Sequence, residues 1–452
     1  MSGTGVAHVV VDGRTLTVEA VRRIAEERAP VGVLGSGDTP RPLAARGAPA
    51  GEPAGGAAHL IRSHSVGLGP HFAEDEARAV LAARLNSLAG ECAGVRPEVT
   101  ERLVAYLNRG ITPAVPEIGS LGAAGDTLPL AHVAATLIGE GHVLGDGRRE
   151  ETAQVLRRLG TQPLRLSLTE GRALVGGASA TTGVASLVVA RALGQVRQAE
   201  IAAALMTEAT GAAAGPSPAR GDGFARPHRG RGDTAAGLRA LLEGGRAAGV
   251  LPAGVPEVLG GVRHALYGAV DVLEAELNPA RGADGHGRPV APALHRVTGA
   301  LRRLGELAGR RLDGLLHPRG GGEGLPSPAG PGHHGFAAVG CAVAALLAEN
   351  RRSGRDVAGP GLLAARGARQ VLENNHRILA VEFLAAAQAV DLRRCFDELG
   401  PAAQAAYDAV RALVPTLGVD RAMSGDIELV AAALSRGELL RAVGRYGGVV
   451  LR

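Results

Sequence analysis

Between residues 258 and 277, Val258, Val262, Leu266, Val270, Leu273 and Leu277 recur at steps of three and four. Only an α-helix brings such positions onto one face, so this stretch reads as a long helix that buries one stripe. Val297, Leu301, Leu304, Leu307 and Leu312 repeat the pattern, and segments near 336–351 and 362–393 carry it further. Apolar residues make up 46% of the 452, aromatics only 2%, and tryptophan is absent. Alanine, leucine and valine supply that apolar share, which favours helices packed through small side chains over an aromatic-rich β fold. The fold class expected is mainly α, with a central bundle of long helices and a mixed N-terminal part. We expect an N-terminal domain over residues 1–190, the long helices over 191–400 and further helices over 401–452.

At the N-terminus, HVVVDG predicts a short strand and LTVEAVRRIAEER an amphipathic helix capped by Thr17. Helices are expected over 73–90 and 97–109, the second opening on Pro97. Residues 119–125 form a glycine-rich loop, and Asp126 is placed to cap the helix that follows, with Pro129 in its first turn. Long Gly- and Pro-rich connections occupy 35–58, 214–233 and 319–335.

Several function classes drop out on composition. No run approaches 18 consecutive apolar residues, and the N-terminus lacks the basic-then-apolar pattern of a secretion signal, so a cytoplasmic protein without membrane contact is expected. Cys92, Cys341 and Cys395 lie far apart with no CxxC spacing, which suits buried thiols in a reducing compartment. The net charge is +5, yet the chain holds no lysine, and its arginines are scattered among carboxylates. Nucleic acid binding is therefore not expected, and Schiff-base catalysis by a lysine side chain is excluded. His64, His286, His333 and His334 lack any metal-ligand spacing, so no metal is expected. Gly32–Gly37 has the look of a phosphate loop, but no βαβ unit with a downstream acid accompanies it.

One segment carries a resemblance. Residues 95–141, VRPEVTERLVAYLNRGITPAVPEIGSLGAAGDTLPLAHVAATLIGEG, resemble the signature region of the histidine and phenylalanine ammonia-lyases. The likeness continues in order through LIRSHSVGLG at 60–69, ARLNSLAG at 83–90, GRALVGGASATTG at 171–183, LEAELN at 273–278, HGRPVA at 286–291 and RQVLENNHRILAVEFLAAAQAVDLR at 369–393. The chain is identified as a divergent member of the aromatic amino acid lyase family. That resemblance implies an ammonia-lyase-like helical fold, a homotetramer and a pocket for a small-molecule substrate. It also implies methylidene-imidazolone (MIO), the electrophile that the family makes from its own backbone.

In that family an Ala-Ser-Gly tripeptide cyclises and loses water, the methylidene carbon coming from the serine side chain. Here the tripeptide falls on Ala123-Ala124-Gly125, and alanine has no hydroxyl to eliminate. The expectation is that MIO cannot form and that the chain carries no cofactor. By the same resemblance, the family's tyrosine base falls on Val31 and its NGT motif on Gly176-Gly177-Ala178. The carboxylate clamp falls on Val250–Ala253, and the acid segment on Gly354–Val357, which includes Arg355. With His286, these positions are expected to line the pocket. His64 matches an active-site histidine, while His333 and His334 replace an Asn-Ser pair and offer a new acid–base pair beside it. The reading expected is an MIO-independent enzyme of specialised metabolism, using these histidines for elimination, addition, cyclisation or condensation. The alternative is a non-catalytic pseudoenzyme that binds a metabolite or a partner protein.

Overall fold

The stripe between 258 and 277 forms the helix Val255–Leu277. Leu259, Val262, Leu266, Ala269, Leu273 and Leu277 are buried along it, with Val258 and Val270 at the margin. Val297, Leu301, Leu304, Leu307 and Leu312 are likewise all buried in the helix Val290–Leu316. The computed structural model describes residues 8–34, 55–90, 94–120, 125–145, 148–211, 228–278, 287–317, 324–325, 329–330, 332–353 and 360–446. Those residues are mainly helical. The chain divides into two compact units: residues 1–190, 268–294 and 356–366, and residues 191–267, 295–355 and 367–452.

The first unit contains the mixed part. Strands Val9–Val11 and Val31–Val33 pair in parallel, joined through the helix Val18–Ala25, which Thr17 caps by accepting from the Ala20 N–H at 3.1 Å. That helix packs on Glu74–Ala89. Arg78, buried in the second of these, donates to the Ile24 carbonyl (2.8 Å) and the Leu107 carbonyl (2.9 Å). One guanidinium thereby satisfies last-turn carbonyls of the helices Val18–Ala25 and Pro97–Arg109, which otherwise lack partners. Two asparagines from the motifs act in the same way. Asn86 accepts from the Gly13 N–H and donates to the Leu277 carbonyl, while Asn278 exchanges two hydrogen bonds with the Leu16 backbone.

A hairpin was absent from the sequence reading. Strands His142–Gly145 and Arg148–Glu151 pair antiparallel, and the first also pairs with Thr112–Pro113. Strand Leu68–His71 pairs antiparallel with Pro116–Ile118. The helix Gly56–His64 packs on Thr127–Leu137 and Leu168–Val175.

The second unit is helical throughout its described residues. Its polar core is an amide network: Asn375 donates to the Leu301 carbonyl at 2.8 Å and accepts from Asn350 at 3.0 Å, while Asn374 donates to Asn350 at 2.9 Å. The ENN run at 373–375 is thus structural. His376 beside it is buried, and its imidazole is pushed down to about 4, first by burial and then by Arg191 and Arg377. The unfolded chain takes up that proton near pH 6.5, whereas the folded chain resists it until about pH 4. This contribution is therefore whole above about pH 6.5 and declines by up to roughly 3 kcal/mol as pH falls. His376→Gln is expected to narrow the gap between urea midpoints measured at about pH 7.5 and about pH 4.5. An unchanged gap would refute that assignment.

Among the described residues, one helical stretch, 168–210, is long and apolar enough to cross a membrane, and 78% of its most apolar window is buried inside the protein. Gln195, Gln198, Glu200 and Glu208 are buried within it, as in a core helix. Cys395 is buried as expected, but Cys341 is exposed on the helix Val339–Arg352, a correction to its reading as core. Cys92 lies outside the described residues.

Candidate functional site

Gly125 has φ +75°, and a Cβ there would lie 2.7 Å from the Gly177 carbonyl oxygen, so no side chain fits. Immediately after it, the Asp126 N–H donates to that same carbonyl at 2.8 Å. Asp126 stands at the N-cap position of Thr127–Leu137, yet its carboxylate makes no cap bond. It accepts instead from the Thr181 N–H (2.6 Å) and the Thr181 hydroxyl (2.8 Å), which corrects the reading of Asp126 as a cap. Burial raises its pKa, against the hydrogen bonds from Thr181. Two further glycines close on this point. A Cβ on Gly287 would meet Ala178 at 2.8 Å, and one on Gly361 would meet Thr181 at 2.6 Å.

Arg84 completes the cluster. It sits on Glu74–Ala89 among Ala79, Val80, Leu81, Ala82, Ala83 and Leu85, all buried, and is itself buried. Its Nη1 donates to the Gly176 carbonyl at 2.6 Å and lies 3.4 Å from the Ser179 hydroxyl. Burial lowers the guanidinium to about 10, a shift that the Asp126 carboxylate opposes. The sequence reading quoted ARLNSLAG without singling out Arg84. The available signal was a charge in the middle of an apolar helical run, which survives only with buried partners.

The expected site residues divide between the two units. In the first, Val31 is a buried strand residue whose N–H and carbonyl are both held at 2.8 Å by the Asn108 side chain. Gly176 accepts from Arg84, as above. His64 ends the helix Gly56–His64, half-buried, with Nδ1 at 2.9 Å from the Leu60 carbonyl and 3.0 Å from the Ser63 hydroxyl. In the second, Val250 is half-buried and Ala253 exposed, ahead of Val255–Leu277. His333 and His334 are exposed around Asp420, whose carboxylate accepts from the His334 N–H (2.6 Å) and the Gly335 N–H (2.9 Å). The His333 Nδ1 lies 3.8 Å from the same group. Those two N–H bonds hold the Asp420 carboxyl below its usual range. Ala123, Ala124, His286 and Arg355 lie outside the described residues.

The family profile described as aromatic amino acid lyase matches residues 43–412. The chain belongs to the aromatic amino acid lyase family. It is 47% identical to an MIO-dependent tyrosine 2,3-aminomutase of Streptomyces globisporus, over 99% of both sequences. It is 41% identical to a tyrosine ammonia-lyase of Cupriavidus metallidurans, over 87% of this chain and 85% of that one. Among solved structures, the tyrosine aminomutase from Streptomyces globisporus matches with a TM-score of 0.85 at 45% identity, over 99% and 100% of the two chains. Histidine ammonia-lyase from Trypanosoma cruzi matches at 0.83 and 27% identity, over 97% and 95%. The ammonia-lyase-like fold is thereby confirmed, and the relatives act on small molecules.

The same relatives correct the functional expectations. An MIO-independent enzyme of other chemistry, a pseudoenzyme and a cofactor-free chain are all overturned, because near-full-length identity at this level places the chain with MIO-dependent lyases and aminomutases. The error has a physical source. The aligned span with the aminomutase is 534 positions against 452 residues here, so that relative carries segments this chain lacks. Single-residue matches such as those of Val31 and Arg355 weigh less than identity along the whole chain. Residue 124 itself is alanine. The backbone cradle fits the family's tripeptide: Gly125 is in its left-handed conformation, Asp126 is anchored, and the Gly177 carbonyl leaves no room for a side chain. Alanine carries no hydroxyl of the kind the family's tripeptide eliminates, so this position departs from the pattern while the backbone around it keeps it.

Proposed function

We propose that this chain is a lyase or 2,3-aminomutase whose substrate is an aromatic α-amino acid of the tyrosine type. The observation that carries this is its 47% identity, end to end, with a tyrosine 2,3-aminomutase, supported by 41% with a tyrosine ammonia-lyase. On this reading Arg84 and Asp126 are positioning residues. Arg84 fixes the turn at Gly176, and Asp126 ties the end of the 119–125 loop to Thr181. Both are buried, so they hold backbone in place and do not meet substrate. His64 is the candidate for proton transfer at the substrate: its Nδ1 is engaged within its own helix, which leaves Nε2 as the atom to give or take a proton. A homotetramer, with pockets completed by neighbouring chains, is part of the proposal.

The test is an assay of the native chain and Ala124→Ser, each supplied with tyrosine, phenylalanine or histidine. Released ammonia, the cinnamate-type product and the β-amino acid isomer are measured. Product from tyrosine in preference to histidine, in either chain, is the expected result. A preference for histidine, or no product from either chain, would overturn the assignment.

A further inference from the structure

The cavity bounded by the SHSVGLG turn holds a group of basic side chains with no part in the proposed reaction. Its volume is about 520 Å³, and it lies wholly within the first unit. Six titratable or charged groups line it: Arg62, His71, His132, Glu140, His142 and Arg149. They come from the helix Gly56–His64, the strand Leu68–His71, the helix Thr127–Leu137 and the loop after it, and both strands of the hairpin. Arg62 is neutralised by Glu140, with guanidinium contacts at 2.6 and 3.0 Å. That leaves three histidines and Arg149 with no further carboxylate among the lining residues; Glu151, opposite His142 in the hairpin, is outside the lining, and Arg149 has no ion-pair partner among the described residues.

The cavity wall is built for close approach. The Gly67 N–H donates to the His132 Nε2 at 3.1 Å, and a Cβ on Gly67 would lie 3.0 Å from Pro116 and 3.1 Å from that nitrogen. Gly69 follows at φ +81°, where a side chain would be strained and crowd Ile118. Because the His132 Nε2 accepts, its proton is on Nδ1, and that ring is a neutral donor. Burial lowers the pKa of His71, with Arg149 and His142 adding to the shift. Burial lowers His132 as well, with His71 adding to it. Like charges that depress one another in a half-enclosed space are relieved by an anion placed between them.

We propose that this cavity is a binding site for a small anion, presenting a phosphate or carboxylate group to His71, His142 and Arg149. The site is independent of the tyrosine reading and survives or fails separately. Arg149 supplies the permanent charge, His142 a hydrogen bond, and His71 takes up a proton as the anion binds. Affinity therefore falls as pH rises from about 6 to about 8.

The experiment follows histidine ring resonances by NMR through pH titrations, without anion, with inorganic phosphate and with malonate. With either anion, His71 is expected to titrate at higher pH and the His142 resonances to move, while those of exposed His317 stay where they were. Arg149→Ala, an exposed change on a hairpin, is expected to weaken phosphate binding by about tenfold or more, as loss of a charge-assisted hydrogen bond does. Tighter binding of phosphate identifies a phosphorylated ligand, and tighter binding of malonate a carboxylate. Three outcomes sink the proposal: no movement of His71 and His142, equal movement at His317, or unchanged affinity in Arg149→Ala. An unshifted His376 signal confirms that the variant is folded.

Discussion

Ala124→Ser is expected to yield a protein lighter than its sequence by the water that cyclisation removes and the water that elimination removes. The described side of the loop already holds what such a ring closure needs. Gly125 occupies a left-handed conformation that a side chain would disrupt, with the Gly177 oxygen 2.7 Å from where a Cβ would stand. Asp126 is fixed through its N–H to Gly177 and through its carboxylate to Thr181, and Arg84 fixes the neighbouring Gly176 carbonyl. Cyclisation of a flexible peptide is slow because its ends must be brought together; anchoring at Gly125 and Asp126 removes part of that entropy on folding. What alanine at 124 lacks is only the leaving hydroxyl. Intact mass spectrometry reads the outcome directly. A folded Ala124→Ser at full sequence mass would show that the cradle is not competent. The companion Ala124→Ser, Gly125→Ala is expected to stay at full mass, since its Cβ collides with the Gly177 carbonyl. If the mass falls, the variant is expected to turn over tyrosine. Loss of water without turnover would leave the cradle established and count against tyrosine as the substrate.

The long helices were legible because their signal is local. A stripe such as Val297, Leu301, Leu304, Leu307 and Leu312 announces its own burial, whatever packs against it. The hairpin 142–151 was missed although Asp146-Gly147, a strong two-residue turn signal, sits between its strands. Its flanks, HVLG and RREE, alternate too weakly to read as strands. The motif residues were visible, but their work was not. Asn86, Asn278 and Asn375 hold backbone carbonyls, and nothing in their spacing separates that from chemistry. Arg84 and Asp126 meet only in three dimensions, as do His71, His132 and His142. The functional misreading arose the same way. Lost side chains at single positions were weighed against motifs, while the relation to aminomutases is a property of the whole chain.

In the second unit, Glu200→Ala is expected to lower stability by about 3–5 kcal/mol. Glu200 and Arg263 face each other with side chains only 1% and 3% exposed, and the guanidinium reaches the carboxylate through Nε at 3.1 Å and Nη2 at 2.8 and 3.0 Å. Burial works against the Arg263 charge, but the hydrogen bonds it donates to Glu200 outweigh that and hold the guanidinium above its ordinary pKa. Removing the carboxylate leaves a cation that can neither reach water nor give up its proton, which is why breaking a buried pair costs far more than the pair contributes. Replacing both partners separates these two effects. Glu200→Leu with Arg263→Met puts apolar surface in the same space and is expected to recover most of the loss, since a well-packed apolar pair is close to an ion pair in net stability. Urea unfolding followed by circular dichroism measures all three chains. A Glu200→Ala loss below about 1 kcal/mol would mean that the Arg263 guanidinium finds water or another acceptor. A double variant no better than Glu200→Ala would mean that the two charges specify the packing around them as well as each other.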